Sequence, residues 1–166
     1  MLVLDNLAVF EFGVICEVFG IDRSNDGVPN FDFKVCGPQP GRALSTSVGA
    51  QLVPDHGLDD LLGADLVAVP AISGPPESYL PEALEALRNN SCDVVLMDCQ
   101  MPKMDGFDLI TSLRSNPAYK YVPILILTTE SDPAKKERGK AAGATGWIVK
   151  PFNPEKLVQV VQKVCP

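Results

Sequence analysis

Residues 93–98 read DVVLMD, a continuous apolar run that ends on a single acid. A run of this kind is typical of a parallel strand whose two faces are both covered by helices. Two similar runs follow it, ILILTT at 124–129 and WIVK at 147–150, and a helical pattern separates each run from the next. Strands that alternate with helices predict a parallel sheet joined by right-handed crossovers.

The same alternation continues toward the N-terminus. Three further candidate strands lie at 2–5, 31–36 and 65–70. A short alternating stretch around Gly49 predicts a small β-hairpin near 43–55. The complete pattern therefore indicates a mainly parallel sheet of about six strands, covered by helices on both faces.

No Ser/Gly-rich linker divides the chain. Around 89–91 there is room only for a short helix-to-strand loop. We therefore expect residues 1–166 to form one composite domain, whose two parts are 1–90 and 91–166.

Composition excludes several classes of function. The formal net charge of −7 argues against a nucleic-acid partner, because phosphate contacts need clustered Lys and Arg. No stretch approaches 18 consecutive apolar residues, so we expect no membrane partner. The five cysteines are odd in number and form no CxxC pair, which favours reduced thiols in a cytoplasmic protein. We predict no specific partner, and a monomer or a weak homodimer.

Polar side chains stand at the ends of three successive predicted strands. They are Asp98, Thr128 and Lys150. Because the carboxyl ends of parallel strands meet at one edge of the sheet, these three side chains should converge there. The trio is suited to phosphoryl chemistry: a carboxylate accepts the group, a hydroxyl binds a phosphoryl oxygen and an ammonium offsets its charge.

The segments VVLMDCQMPKMDG, PILILTTES and AAGATGWIVKPF, followed by an amphipathic helix, resemble response-regulator receiver domains of the CheY type. The resemblance covers residues 92–165. It implies that Asp98 is the phospho-accepting aspartate, Thr128 the switch hydroxyl and Lys150 the phosphate-contacting lysine. Trp147 falls where receivers place a switch aromatic, and the peptide bond after Lys150 is expected to be cis.

The receiver resemblance also implies a Mg²⁺ site. Receivers place two acids at the end of their first strand, but here that position reads Asp5-Asn6. The candidate ligands are Asp98, the backbone carbonyl of Gln100 and Asp5, so we expect no required cofactor and only weak Mg²⁺ binding. If strand 65–70 lies between strand 2–5 and strand 94–98, Asp5 is one strand too far away; pairing of 2–5 with 94–98 would keep one acid in the site. The first arrangement is favoured.

The front half resembles a different family. Its segments LDNLAVFEFGVICEVFG, FDFKVCG and LSTSVGAQLVPDHGLDDLLGADLVAVPAISGPP are similar to class I glutamine-amidotransferase-like (ThiJ/PfpI) domains of AraC-type regulators, over residues 2–88. That family follows this region with a cysteine nucleophile on a sharp elbow. Here Cys99 stands nearby, with Glu11 or Glu17 as a possible partner, but CQMPKMDG has receiver turn chemistry and no histidine follows it, which favours an inert thiol.

Together the two resemblances imply a flavodoxin-like three-layer α/β/α sandwich with strand order 2-1-3-4-5-6. Three functional hypotheses remain. The leading one is a non-enzymatic, engineered or recombined chimera without intact physiological activity, which carries a remnant phosphorylation site. The second is a divergent two-component receiver phosphorylated on Asp98 with Mg²⁺. The third is a ThiJ/PfpI-like sensor or hydrolase that uses Cys99.

Overall fold

The computed structural model describes residues 1–73, 80–88, 92–98, 100–101, 104–105, 107–129 and 131–165. The strands, in chain order, are β1 (Leu44–Ser45), β2 (Gln51–Leu52), β3 (Leu66–Val69), β4 (Val94–Asp98), β5 (Gln100–Met101), β6 (Met104–Asp105), β7 (Ile124–Thr128) and β8 (Gly146–Val149). The α-helices are α1 (Val9–Phe19), α2 (Leu80–Arg88), α3 (Phe107–Ser115), α4 (Pro133–Ala142) and α5 (Pro154–Val164). The first residues of the helix predicted before β4, and the junction at 89–91, lie outside the described residues.

The central sheet is parallel and has the strand order β3-β4-β7-β8. Its strands pair in register, with Val67 opposite Val95, Leu96 opposite Leu125, and Ile126 opposite Trp147. These pairings match the order predicted for the last four strands. The predicted hairpin near 43–55 is also present, because β1 pairs with β2 in antiparallel fashion.

The first two predicted strands are corrected. Within the described residues the sheet has four regular strands rather than about six, and segments 2–5 and 31–36 make only isolated bridges. Leu2 nevertheless donates to the carbonyl of Ala68 at 2.9 Å, and Val3 to that of Cys36 at 2.9 Å. Segment 2–5 therefore lies beside β3 and segment 31–36 lies beyond it, which is the predicted order. The first is cut short by a turn in which Asn6 has a φ of 62°, so no regular ladder develops beside β3.

The sheet has helices on both faces, as the three-layer prediction requires. Side chains from alternate strand positions enter two separate apolar clusters. One contains residues of α2 and α3 together with Val95, Met97, Ile124 and Ile126. The other contains residues of α1 and α5 together with Val94, Leu96, Leu125 and Leu127. Each buried aliphatic side chain of this size stabilises the fold by about 1.5–3 kcal/mol, so both helical layers are held mainly by apolar burial.

Local signals set the ends of the helices beside the site. The side chain of Asp132 accepts a hydrogen bond from the backbone of Ala134 and begins α4, while that of Asn153 accepts one from Lys156 and begins α5. Gly20 ends α1. None of the helices in the described part of the chain has the length and apolar character needed to cross a membrane.

Candidate functional site

The three predicted site residues meet at the carboxyl edge of the sheet. Asp98, the last residue of β4, lies opposite Leu127 on β7, and Thr128 lies opposite Val149 on β8. The backbone N–H of Lys150 donates to the carbonyl of Thr128 at 2.7 Å. Asp98, Thr128 and Lys150 are 1%, 2% and 9% exposed, respectively. The structure therefore brings together and buries the trio that the strand ends predicted.

The ammonium of Lys150 joins two carboxylates. Its Nζ donates a hydrogen bond to Oδ2 of Asp98. It also lies 3.5 Å from Oε1 of Glu11, which stands in the first turn of α1. The side chains are 6% exposed for Lys150, 1% for Asp98 and 14% for Glu11. Charged hydrogen bonds in such shielded surroundings are stronger than those in water, so this network orders the site.

Asp5 lies outside this network. Its carboxylate accepts from Arg42 at 2.6 Å and from the backbone and hydroxyl of Ser45 at 2.9 and 3.0 Å. Strand β3 pairs directly with β4, which puts the Asp5 segment one strand further from Asp98. Of the two arrangements left open by the sequence, the favoured one is confirmed. Asp5 therefore helps to hold β1 against segment 2–5.

The other candidates for chemistry have different surroundings. Gln100 lies in β5, opposite Asp105 of β6 in a short antiparallel pair. Cys99, on which the hydrolase hypothesis depends, lies outside the described residues. Glu17 pairs with Arg23 instead. The single histidine, His56, has its Nδ1 3.5 Å from a carboxylate oxygen of Asp60.

Trp147 packs on the side of the sheet that carries α3 and α4. Its ring stacks on that of Phe107, with 6.2 Å between the ring centres. Gly139 of α4 lies against the same indole, where a Cβ would come within 2.7 Å of a ring carbon. The Lys150–Pro151 peptide bond is cis, as the receiver resemblance implied. The only tryptophan of the chain is thus a probe placed three residues from the site lysine.

A groove of about 670 Å³ opens beside the site. It runs between α1 and the segment that leads into α5, and Lys150 and Thr129 form part of its wall. Most of the remaining wall is apolar, with Val9, Phe10, Val14, Val18, Pro151 and Phe152. Phe10 is 70% exposed, and its ring centre lies 5.9 Å from the ammonium of Lys150. The groove therefore gives solvent a path to the neighbourhood of the buried network.

The donor atoms can be compared with the needs of Mg²⁺. This ion takes hard oxygen ligands and is commonly held by one or two carboxylates together with phosphate and water. Asp98 supplies a buried carboxylate, and Gln100 follows it closely in the chain. Within the described ranges, no cluster of three or more His, Cys, Asp or Glu side chains is arranged to hold a metal. The donors fit Mg²⁺ in type, with few protein ligands.

Sequence reasoning missed the position of Glu11. It considered this residue only as a partner for Cys99, whereas the structure places its carboxylate on Lys150. The available signal was an acid in the first turn of the helix that follows segment 2–5. The helix N-terminus favours a negative charge there, so the signal alone did not distinguish a capping role from a site role.

Comparison with known proteins supports the resemblance of the second half of the chain to receiver domains. The sequence pattern of the family described as "Response regulator receiver domain" matches residues 78–162. Over 84 residues, which are 50% of this chain, the sequence is 38% identical to the chemotaxis protein CheY1 of Helicobacter pylori and covers 68% of it. It is 40% identical over 84 residues to a gliding motility regulatory protein of Myxococcus xanthus, but it spans only 11% of that protein.

The fold comparison extends over nearly the whole chain. A structure of the chemotaxis protein CheY4 of Vibrio cholerae aligns with 98% of this chain and 95% of its own, with a TM-score of 0.52 and 29% identity. The flavodoxin-like fold class is thereby confirmed. The matched span of 78–162 supplies no evidence for a ThiJ/PfpI-like front half or for a chimeric origin. With the family pattern covering half of the sequence, and with a buried acid, hydroxyl and lysine at the expected strand ends, the chain belongs to the family of response regulator receiver domains.

Proposed function

We propose that this chain is a phosphoryl-accepting signalling domain in which Asp98 receives the phosphoryl group. The observation that carries the proposal is the buried hydrogen bond from Lys150 to Asp98, with Thr128 on the adjacent strand end. A carboxylate that is paired with an ammonium and shielded from water is well suited to accept a dianionic group, because the positive charge is already in place. We further propose that residues 1–166 act as one domain, which is supported by α1 and α5 sharing an apolar cluster.

The proposed reaction is a simple displacement. A carboxylate oxygen of Asp98 attacks the phosphorus of a phosphodonor, either a phosphohistidine on a kinase or a small acyl phosphate. A new O–P bond forms while the donor's P–N or P–O bond breaks, and the electron pair leaves with the donor. Hydrolysis reverses the state: water attacks phosphorus, inorganic phosphate leaves and the carboxylate is restored.

Each residue of the trio has a distinct role in this scheme. Lys150 offsets charge on the phosphoryl oxygens, and the hydroxyl of Thr128 donates a hydrogen bond to one of them. Asp98 and the backbone carbonyl of Gln100 are the groups that would hold Mg²⁺. When bound, the ion supplies further charge neutralisation for the transferring group. The groove beside Lys150 offers space for the donor.

The partners implied by this function are a kinase that supplies the phosphoryl group and an effector that reads the modified domain. The chain would then be a regulated acceptor rather than an enzyme that turns over a substrate, and a cytoplasmic location would agree with this role.

Titration with Mg²⁺ and then with beryllofluoride, a phosphoryl mimic, tests the proposal through the fluorescence of Trp147. We expect a saturable, Mg²⁺-dependent change that the substitution Asp98→Ala abolishes. Asp98→Ala should remain cooperatively folded, which urea unfolding can check. A folded wild-type chain that gives no response would overturn the proposal and would favour the hypothesis of a recombined domain without activity.

The chimera hypothesis and the hydrolase hypothesis can each be tested separately. A chimeric origin predicts that the front half, residues 1–90, has relatives of its own, apart from receivers. The hydrolase hypothesis predicts an unusually reactive thiol at Cys99, which thiol titration of the folded chain would reveal. Neither has an observation among the described residues that favours it over phosphoryl transfer.

A further inference from the structure

The carboxylate of Glu11 comes from a part of the chain that the receiver pattern does not cover. Glu11 lies on α1, whereas the matched residues begin at 78. Its side chain is 14% exposed, and its only described ion pair is the 3.5 Å contact with Lys150. The charged network around Lys150 is thus built from three places in the chain: α1, the end of β4 and the residue after β8.

We propose that Glu11 is a positioning residue for phosphoryl transfer and that it acts through Lys150. This inference rests on the proposed function of Asp98. A lysine side chain has four flexible methylene groups and a rotatable ammonium with three N–H donors. With Glu11 and Asp98 each accepting from it, the ammonium is fixed between two carboxylates before any phosphodonor arrives.

Two physical effects follow from this arrangement. A group that is already ordered loses less conformational freedom when the charged transition state forms, so the rate rises. In addition, Glu11 shares the positive charge of Lys150. Without that second acceptor, the ammonium would bind Asp98 more tightly and make its carboxylate a weaker nucleophile. Both effects predict slower phosphorylation when Glu11 loses its charge.

A competing effect has the opposite sign. A phosphoryl dianion on Asp98 would be repelled by the negative charge of Glu11, so removal of that charge could favour the modified state. The shared ammonium lies at hydrogen-bonding distance from both carboxylates, and attraction at this range outweighs repulsion between more distant like charges. We therefore expect the positioning effect to dominate.

The test compares the wild-type chain with Glu11→Gln, which keeps the shape and removes the charge. Glu155→Gln is the matched control, because Glu155 also stands in the first turn of a helix but is exposed. Acetyl phosphate is the donor, and intact-mass spectrometry follows the acyl phosphate. We expect the limiting rate of Glu11→Gln to fall about fivefold to tenfold, as the replacement of a charged hydrogen-bond acceptor by a neutral one predicts. The half-saturating donor concentration should change less than twofold.

A second readout asks whether the effect passes through Lys150. The resolved ammonium signal of a buried lysine in a ¹H–¹⁵N spectrum, assigned by its loss in Lys150→Met, should shift or broaden in Glu11→Gln and stay unchanged in Glu155→Gln. A rate within twofold of wild type, a faster rate, or an unperturbed ammonium signal would each overturn the inference. So would a slow rate that excess Mg²⁺ restores, since this would make Glu11 an ion ligand. If the wild type itself is not modified, it is the proposed function that fails.

Discussion

Lys150 and Asp98 form a buried hydrogen bond although 52 positions separate them in the chain. The bond links the end of β4 to the residue after β8 across the intervening strand β7. It holds the site together before any phosphodonor is present. Its two partners are predicted by their strand-end positions, and the consequences of removing each can be measured.

Removing the positive charge should destabilise the fold. Lys150→Met leaves the carboxylates of Asp98 and Glu11 without the ammonium that both contact. Loss of one partner of a buried ion pair costs about 3–5 kcal/mol, and we expect a loss near 3 kcal/mol in the free energy of unfolding. Urea denaturation gives the measurement, with Lys163→Met on the exposed surface of α5 as the control. The double variant Asp98→Asn/Lys150→Met should recover about half of the loss, and strictly additive losses would contradict the coupling.

Asp5 should be dispensable for phosphoryl binding. It contacts Arg42 and Ser45, so Asp5→Asn should weaken the fold by about 0.5–1 kcal/mol, as expected for a partly exposed ion pair. We expect the beryllofluoride affinity to stay within twofold of wild type, as measured by Trp147 fluorescence. Asp98→Ala serves as the blank. A variant at Asp5 that no longer responds to Mg²⁺ would show that this carboxylate reaches the ion after all.

Substitution of alanine for two helical glycines should change the free energy of unfolding in opposite directions. At Gly139 a Cβ would lie 2.7 Å from a ring carbon of Trp147 and 3.1 Å from one of Phe107, whereas at Gly13 nothing lies within 4 Å. Alanine favours a helix over glycine by about 1 kcal/mol, but overpacking costs about 1–3 kcal/mol. Gly13→Ala should therefore stabilise the chain by about 0.5–1 kcal/mol, and Gly139→Ala should destabilise it by about 1 kcal/mol and alter Trp147 fluorescence. Thermal unfolding measures the stability change of both variants. If Gly139→Ala stabilised the chain as Gly13→Ala does, the indole of Trp147 would have to move aside.

Cys92 should make stability depend on alkaline pH. Burial raises the pKa of its thiol from 9.0 to about 11, against a smaller opposing effect of the hydrogen bond with Tyr119. The unfolded thiol ionises first, so between about pH 9 and 11 the unfolded state binds fewer protons and stability falls as the pH rises. The slope from this one group approaches about 1.4 kcal/mol per pH unit.

The measurement compares the free energy of unfolding at pH 8 and pH 10 in wild type and in Cys92→Ala. The variant should lose less stability over this interval, although it starts from a lower value because of the cavity it leaves. An identical pH dependence in both chains would show that other groups cause the effect. Below pH 8 the free energies of unfolding of wild type and Cys92→Ala should change with pH in parallel.

The sequence by itself determined the layers and the chemistry at the strand ends. Continuous apolar runs have no alternating polar face, so they must be covered on both sides, and this predicted the three layers. Asp98, Thr128 and Lys150 each end such a run, and parallel strands bring their carboxyl ends to one edge. Caps such as Asp132 and Asn153 depend on residues only two or three positions away, so the local sequence is enough to set the start of these helices.

Only the tertiary structure decided which acid from the front half reaches the site. Asp5 and Glu11 are six positions apart, and either could face Asp98 until the neighbour of β4 is known. Because β3 takes that place, the end of the first segment is displaced toward Arg42, while α1 crosses back over the sheet and brings Glu11 to Lys150. Strand order is set by the packing of the entire sheet, and hydrophobic periodicity carries information about faces but none about neighbours.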